Sequence, residues 1–223
     1  MILAVAVVLG LLVSLARYKT KAIDRIAALP LRSAWLALLA LVLQYPLLLA
    51  PFGETQQVVL HQILFLISHL LLLAFVWLNR SMLGIQIIGL GVILNLAAIL
   101  ANSGFMPVSP EALVQINPGT SLGQFPAGLH YGYSKGIILA REETNLWLLS
   151  DILILPPPFP WPTAFSLGDL LLGFGVGVLL QGPRNLVRLV AGGQASLLAK
   201  GVDGEMPGLG RGRRMQSQSH GGY

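Results

Sequence analysis

Apolar positions in this chain come in long blocks, without the alternation of a half-buried strand or the narrow stripe of a surface helix. Five blocks stand out: about 2–16, 31–50, 58–78, 83–101 and 167–181. A bilayer core about 30 Å thick requires roughly 20 mostly apolar residues per helix. The three middle blocks meet that length, and the first and last are short. The pattern predicts an all-α integral membrane protein. Its body would be a five-helix transmembrane bundle with a structured outer segment over 102–166.

Composition agrees. Of 223 residues, 55% are apolar and only 10% charged, against about 25% charged in an ordinary soluble domain. Mean hydropathy is +0.74. A soluble enzyme, a disordered chain and a nucleic-acid module are all poor fits, and no nucleic-acid partner is expected. Zero cysteines remove disulfides, thiolate nucleophiles and cysteine-ligated metals.

Charge placement sets the orientation. The first block is followed, not preceded, by Arg17, Lys19, Lys21 and Arg25, the reverse of a signal peptide. It reads as an uncleaved span with its N-terminus outside. Alternation then puts Arg32, Arg80 and the basic residues of the tail on the same inner side. Of fourteen Lys and Arg, only Lys135 and Arg141 fall outside. This is the basic-inside bias of membrane proteins. Residues 1–181 would form the membrane domain, and 182–223 a disordered, basic, cytoplasmic tail.

The outer segment carries its own signals. Ser109-Pro110-Glu111 is a helix start, and Asn117-Pro118-Gly119 its stop. Residues 144–155 read as a second, interfacial helix. The proline-rich run 156–162 reads as an extended strut.

Three runs are distinctive: Asn102-Ser103-Gly104-Phe105-Met106-Pro107-Val108-Ser109-Pro110, the stretch from Thr144 to Leu153, and Phe165-Ser166-Leu167-Gly168-Asp169-Leu170-Leu171. In this order, after four apolar blocks, they resemble the family catalogued as domain of unknown function 5317. The resemblance spans roughly Met1 to Gln181. It implies a bacterial inner-membrane protein and supplies no catalytic residue or cofactor.

Six polar residues are candidates for function: His61, His69, Asn102, His130, Asp151 and Asp169. His61 shares a helix face with Ser68, and Gln62 with His69, making one polar stripe. Ionisable groups inside a membrane are costly and mark ligand sites or proton paths. The structural alternative is hydrogen bonding across helices, to Asn95 or Gln44. Asp169 follows Ser166 at capping-box spacing. Asp151 lies among leucines, with Lys135 or Arg141 as partners or at the rim of a cleft. Asn102 ends the fourth block before Gly104, a natural helix stop. Asn95 and Asn102, seven apart, would aim at one neighbour. Gly173 and Gly177 would mark close helix packing. No catalytic motif and no metal-ligand spacing occurs, and the cofactor is unknown.

Three functions fit. The first is a non-catalytic accessory or scaffold subunit partnered by the bilayer and other membrane subunits. The second is an enzyme acting at the outer face on a lipid or isoprenoid-linked substrate, through Asp151, His130 and the 102–109 loop. The third is a cofactor-binding or transport module using the polar stripe around His69.

Overall fold

The computed structural model describes residues 2–49, 55–131 and 136–182; the side chains of 45–49, 55–58 and 61 lie outside that description. The chain divides into Met1–Pro183 and Arg184–Tyr223. The tail expected at 182–223 lies, beyond Gly182, outside the described residues.

Helices dominate. The apolar blocks become α1 (Ile2–Tyr18), α3 (Trp35–Leu49), α4 (Thr55–Leu78), α5 (Leu83–Ala101) and α7 (Leu167–Leu179). A short α2 (Lys21–Ala27) follows α1. Among the described residues α5 alone is long and apolar enough to cross a membrane by itself. At 17 and 13 residues, α1 and α7 are shorter.

The five long helices pack in the order α3, α4, α5, α7, α1. Phe65 of α4 meets Ala98 and Ile99 of α5 at one end, and Phe75 meets Ile85 at the other, so α4 and α5 run antiparallel. Glycine pairs the next two helices. A Cβ on Gly84 would sit 2.8 Å from the Gly175 carbonyl, and one on Gly91 would sit 2.6 Å from the Gly168 carbonyl. Two glycines seven apart on each helix thus let α5 and α7 touch backbone to backbone, in opposite directions. On another face of α7, Gly173 lies against Ala6, and a Cβ on Gly10 would sit 3.2 Å from Gly177. The expected Gly173–Gly177 packing is therefore used, and by α1, which runs parallel to α7.

The all-α expectation is corrected in the cap between α5 and α7. Strands β1 (Met106–Val108), β2 (His130–Tyr131) and β3 (Gly136–Ile138) form a sheet in the order β1-β3-β2, with β1 parallel and β2 antiparallel to β3. A hairpin pairs β4 (Leu153–Leu155) with β5 (Thr163–Phe165). Between the two sheets lies α6 (Pro110–Ile116), whose Ala112 and Leu113 are buried with Val108 and Ile138. Ser109 starts α6 as expected, accepting a hydrogen bond from the Ala112 amide at 3.2 Å.

Two expectations fail here. Residues 144–155 do not form a helix. Leu146 takes a left-handed backbone (φ 51°), Trp147–Leu149 makes a single tight turn, and Leu153–Leu155 becomes strand. The run 156–162 is not a strut but the loop of the β4–β5 hairpin, with the Phe159 amide donating to the Pro156 carbonyl at 3.2 Å. Tertiary pairing decides both: strand β5 satisfies the backbone groups of 153–155 that a helix would have bonded internally.

Candidate functional site

The end of α5 and the start of α7, next to the cap, bring several buried polar side chains together. Asn95 is 2% exposed and Ser166 fully buried. Ser166 Oγ donates to Asn95 Oδ1 at 2.7 Å, and Asn95 Nδ2 donates to Asp169 Oδ1 at 2.7 Å. The Asp169 amide donates to Ser166 Oγ at 3.0 Å, which closes the ring. The Ser166 amide lies 3.4 Å from Asp169 Oδ2, completing the expected capping box. Asp169 thus holds the start of α7, where a carboxylate also meets the positive end of the helix dipole. Spacing alone did not reveal Asn95 as the third member. Gly168 admits it: a Cβ there would collide with the Asn95 side chain.

Asn102, about two turns further along, does a different job. It caps α5 through Nδ2, which donates to the Ala98 carbonyl at 2.7 Å. The same amide group reaches the cap, donating to the Asn145 carbonyl at 2.8 Å and accepting from the Asn145 amide at 2.9 Å. Asn145 Nδ2 returns a bond to the Ala101 carbonyl at 3.1 Å. This reciprocal clamp fixes the 144–151 loop to the helix end. Gly104 (φ +86°) then turns the chain into β1, its amide donating to the Ile99 carbonyl at 2.8 Å. Asn95 and Asn102 therefore bond different neighbours, not the common one expected. Nothing in local spacing marked Asn145, because its partner is 43 residues away.

His69 is buried, 5% exposed. Its Nδ1 lies 2.9 Å from the Phe65 carbonyl, and its ring packs on Phe65 at 4.4 Å between centres. Ser68 beside it accepts from Gln44 Nε2 at 2.9 Å, a bond between α4 and α3. Gln62 Nε2 donates to the Ser103 carbonyl at 2.7 Å, joining α4 to the end of α5. The polar stripe thus stitches α4 to both neighbours. The side chain of His61 lies outside the described residues.

His130 and Asp151 both contact one short segment, 105–107. The His130 ring packs on Phe105 at 4.3 Å, and the Asp151 amide donates to the Pro107 carbonyl at 3.0 Å. His130 Nδ1 and Asp151 Oδ1 are both shielded from solvent. Arg141, one expected partner of Asp151, has its guanidinium 3.9 Å from the centre of the Trp147 ring. Lys135, the other, lies outside the described residues.

Among the described residues, no three His, Asp or Glu side chains are grouped to hold a metal ion. A shallow apolar groove of about 140 Å³ runs between α4 and α5, lined by Phe65, Leu96, Ile99 and Leu100 with Gln62 at its edge. His69, Asn95, Asn102, His130, Asp151 and Asp169 do not converge on it.

No curated protein and no solved structure matches this chain. A family model does, over residues 28–181, so α1 lies outside the matched stretch although the resemblance was expected from Met1. The matched stretch contains every candidate residue and is more than half of the chain, so the protein belongs to the Family of unknown function (DUF5317).

Proposed function

We propose that this chain is a five-helix integral protein of a bacterial inner membrane, acting as a non-catalytic accessory or scaffold subunit. One observation carries the membrane part: beside its buried apolar contacts the bundle also buries small polar side chains, and its outer faces are leucine. Ser14, Ser68, Asn79 and Asn95 are at most 2% exposed, while Leu12, Leu38, Leu60 and Leu90 are 50% exposed or more. Leucines facing outward on every long helix suit hydrocarbon, where helices associate through small and polar contacts. Helix directions add support. With α1 descending, α3 ascends, α4 descends, α5 ascends and α7 descends. That brings Arg17, Arg32 and Arg80 to one end of the bundle and the cap to the other, so the basic end faces the cytoplasm.

The accessory part rests on how the polar residues are used. Gln44 with Ser68, Asn95 with Ser166 and Asp169, and Asn102 with Asn145 hold helices to each other or to the cap. The cap leaves Leu122, Leu146, Leu148 and Trp161 more than half exposed, which gives a partner an apolar surface. Native mass spectrometry after extraction in mild detergent tests the proposal. Other membrane subunits at fixed stoichiometry support it; a lone, monodisperse monomer overturns the accessory role.

A second reading draws on the placement of His130 and Asp151 along 105–107. An enzyme acting on a lipid or isoprenoid-linked substrate at the outer face would have its polar groups there. One small molecule recurring in the mass spectra, and lost in Asp151→Asn, would favour it.

A further inference from the structure

We propose that the elbow between α1 and α2 binds the headgroup of an anionic phospholipid of the inner leaflet. This inference rests on the membrane reading. Between Arg17 and Arg32 the chain carries five basic residues and one acid, Asp24. Lys19, with φ 52°, turns α1 into α2. The turn folds Arg25 back onto Tyr18, so that two guanidinium carbons lie on one ring: Arg25 at 4.2 Å from its centre and Arg17 at 5.6 Å. Lys21, one turn before Arg25 on α2, shares its face. Arg25 is also held by the end of α7, with Nη2 3.3 Å from the Gln181 carbonyl. Arg17 and Lys21 are exposed, and among the described residues neither is ion-paired.

Repulsion between gathered cations is relieved by a counter-anion, and the exposed Arg17 guanidinium suits a phosphate. The neighbouring surface selects a lipid over a free phosphate. Leu11, Leu12 and Leu15, just before Arg17, are 37–56% exposed, and Ile23 on α2 is 70% exposed. A phosphate at Arg17 would therefore lay its acyl chains along the leucines of α1. Basic groups beside the membrane surface contribute about 1 kcal/mol each toward anionic lipid, or roughly fivefold in affinity.

The test uses the full chain in vesicles of equimolar phosphatidylglycerol and phosphatidylcholine. Lipid retained after mild extraction is counted by native mass spectrometry. Phosphatidylglycerol should be retained in excess, and R17Q/K21Q should cut that excess by about fivefold per cation removed. The charge-conserving R17K/K21R should keep most of it, and glycerol phosphate at millimolar concentration should not displace the lipid. Equal retention of the two lipids by the wild type, or an unchanged preference in R17Q/K21Q, overturns the proposal. Displacement by glycerol phosphate overturns the lipid as occupant. Alkaline carbonate washing separates the two levels. A chain washed off the vesicles sinks the membrane reading itself. A chain that stays but shows no preference sinks only the headgroup site.

Discussion

Bundle and cap solve the problem of burial in opposite ways. In the cap, Val108, Leu113 and Ile138 are buried, and Glu142 and Glu143 face outward. That is the arrangement water enforces, because apolar area removed from it contributes about 25 cal/mol per Å². In the bundle, glycines, serines and asparagines sit at the contacts and leucines face outward. Such a surface is stable where the surroundings are as apolar as leucine itself, and contact is then decided by close packing and hydrogen bonds. The Asn102–Asn145 clamp joins the two parts, and the Asn95–Ser166–Asp169 ring ties α5 to the start of α7 where the chain leaves the cap.

Four predictions break or sharpen this contrast. The largest effect is expected in the cap core. Leu113→Ala should destabilise the cap by about 2–5 kcal/mol, whereas Leu38→Ala on the outer face of α3 should be nearly neutral. Hydrogen exchange resolved by peptide would show protection lost over 106–138 in the first variant only. Second comes Leu90→Lys, on the exposed face of α5. In hydrocarbon a lysine at a helix centre costs about 2.5–3.5 kcal/mol, while a water-facing site would barely respond. Membrane insertion efficiency of the variant reads the difference, and unchanged insertion would undo the reading of the leucine faces as lipid-facing. Third, Asn102→Ala removes the clamp and strands polar groups of the 144–151 loop. A loss of about 1–3 kcal/mol is expected. It should appear as faster exchange at 145–151 with the bundle unchanged; equal loosening of α5 and α7 would mean that bundle and cap unfold together. The smallest effect is Ser109→Ala, where losing the cap of α6 should cost about 1 kcal/mol. A small drop in cap melting temperature would register it.

Much of the candidate site was readable because it is local. Ser166 and Asp169 are three residues apart, and so are Ser109 and Ala112; at such spacing a side chain reaches the backbone whatever the rest of the molecule does. The ends of α5 were legible for the same reason. Asn95 with Asp169, and Asn102 with Asn145, were not, because 74 and 43 residues separate them. The approach of α7 to α5 makes the first contact, and the return of the 144–151 loop to the end of α5 makes the second. His69 was legible only as a polar residue in an apolar helix; its Nδ1 contact with the Phe65 carbonyl one turn earlier is local as well.

The 144–162 stretch departs from its local pattern for a related reason. Apolar residues over 144–155 satisfy a helix pattern and a buried strand equally well, and a proline run looks extended until its flanks pair. What the sequence determined by itself is the set of long helices, their local caps and the side on which their charges collect. Those follow from apolar block length, side-chain reach of three or four residues, and charge placement. Tertiary structure decided which helices touch, which asparagines bond across them, and that 153–165 is a hairpin. Each of these depends on backbone groups far apart in sequence finding one another, and no local pattern encodes that distance.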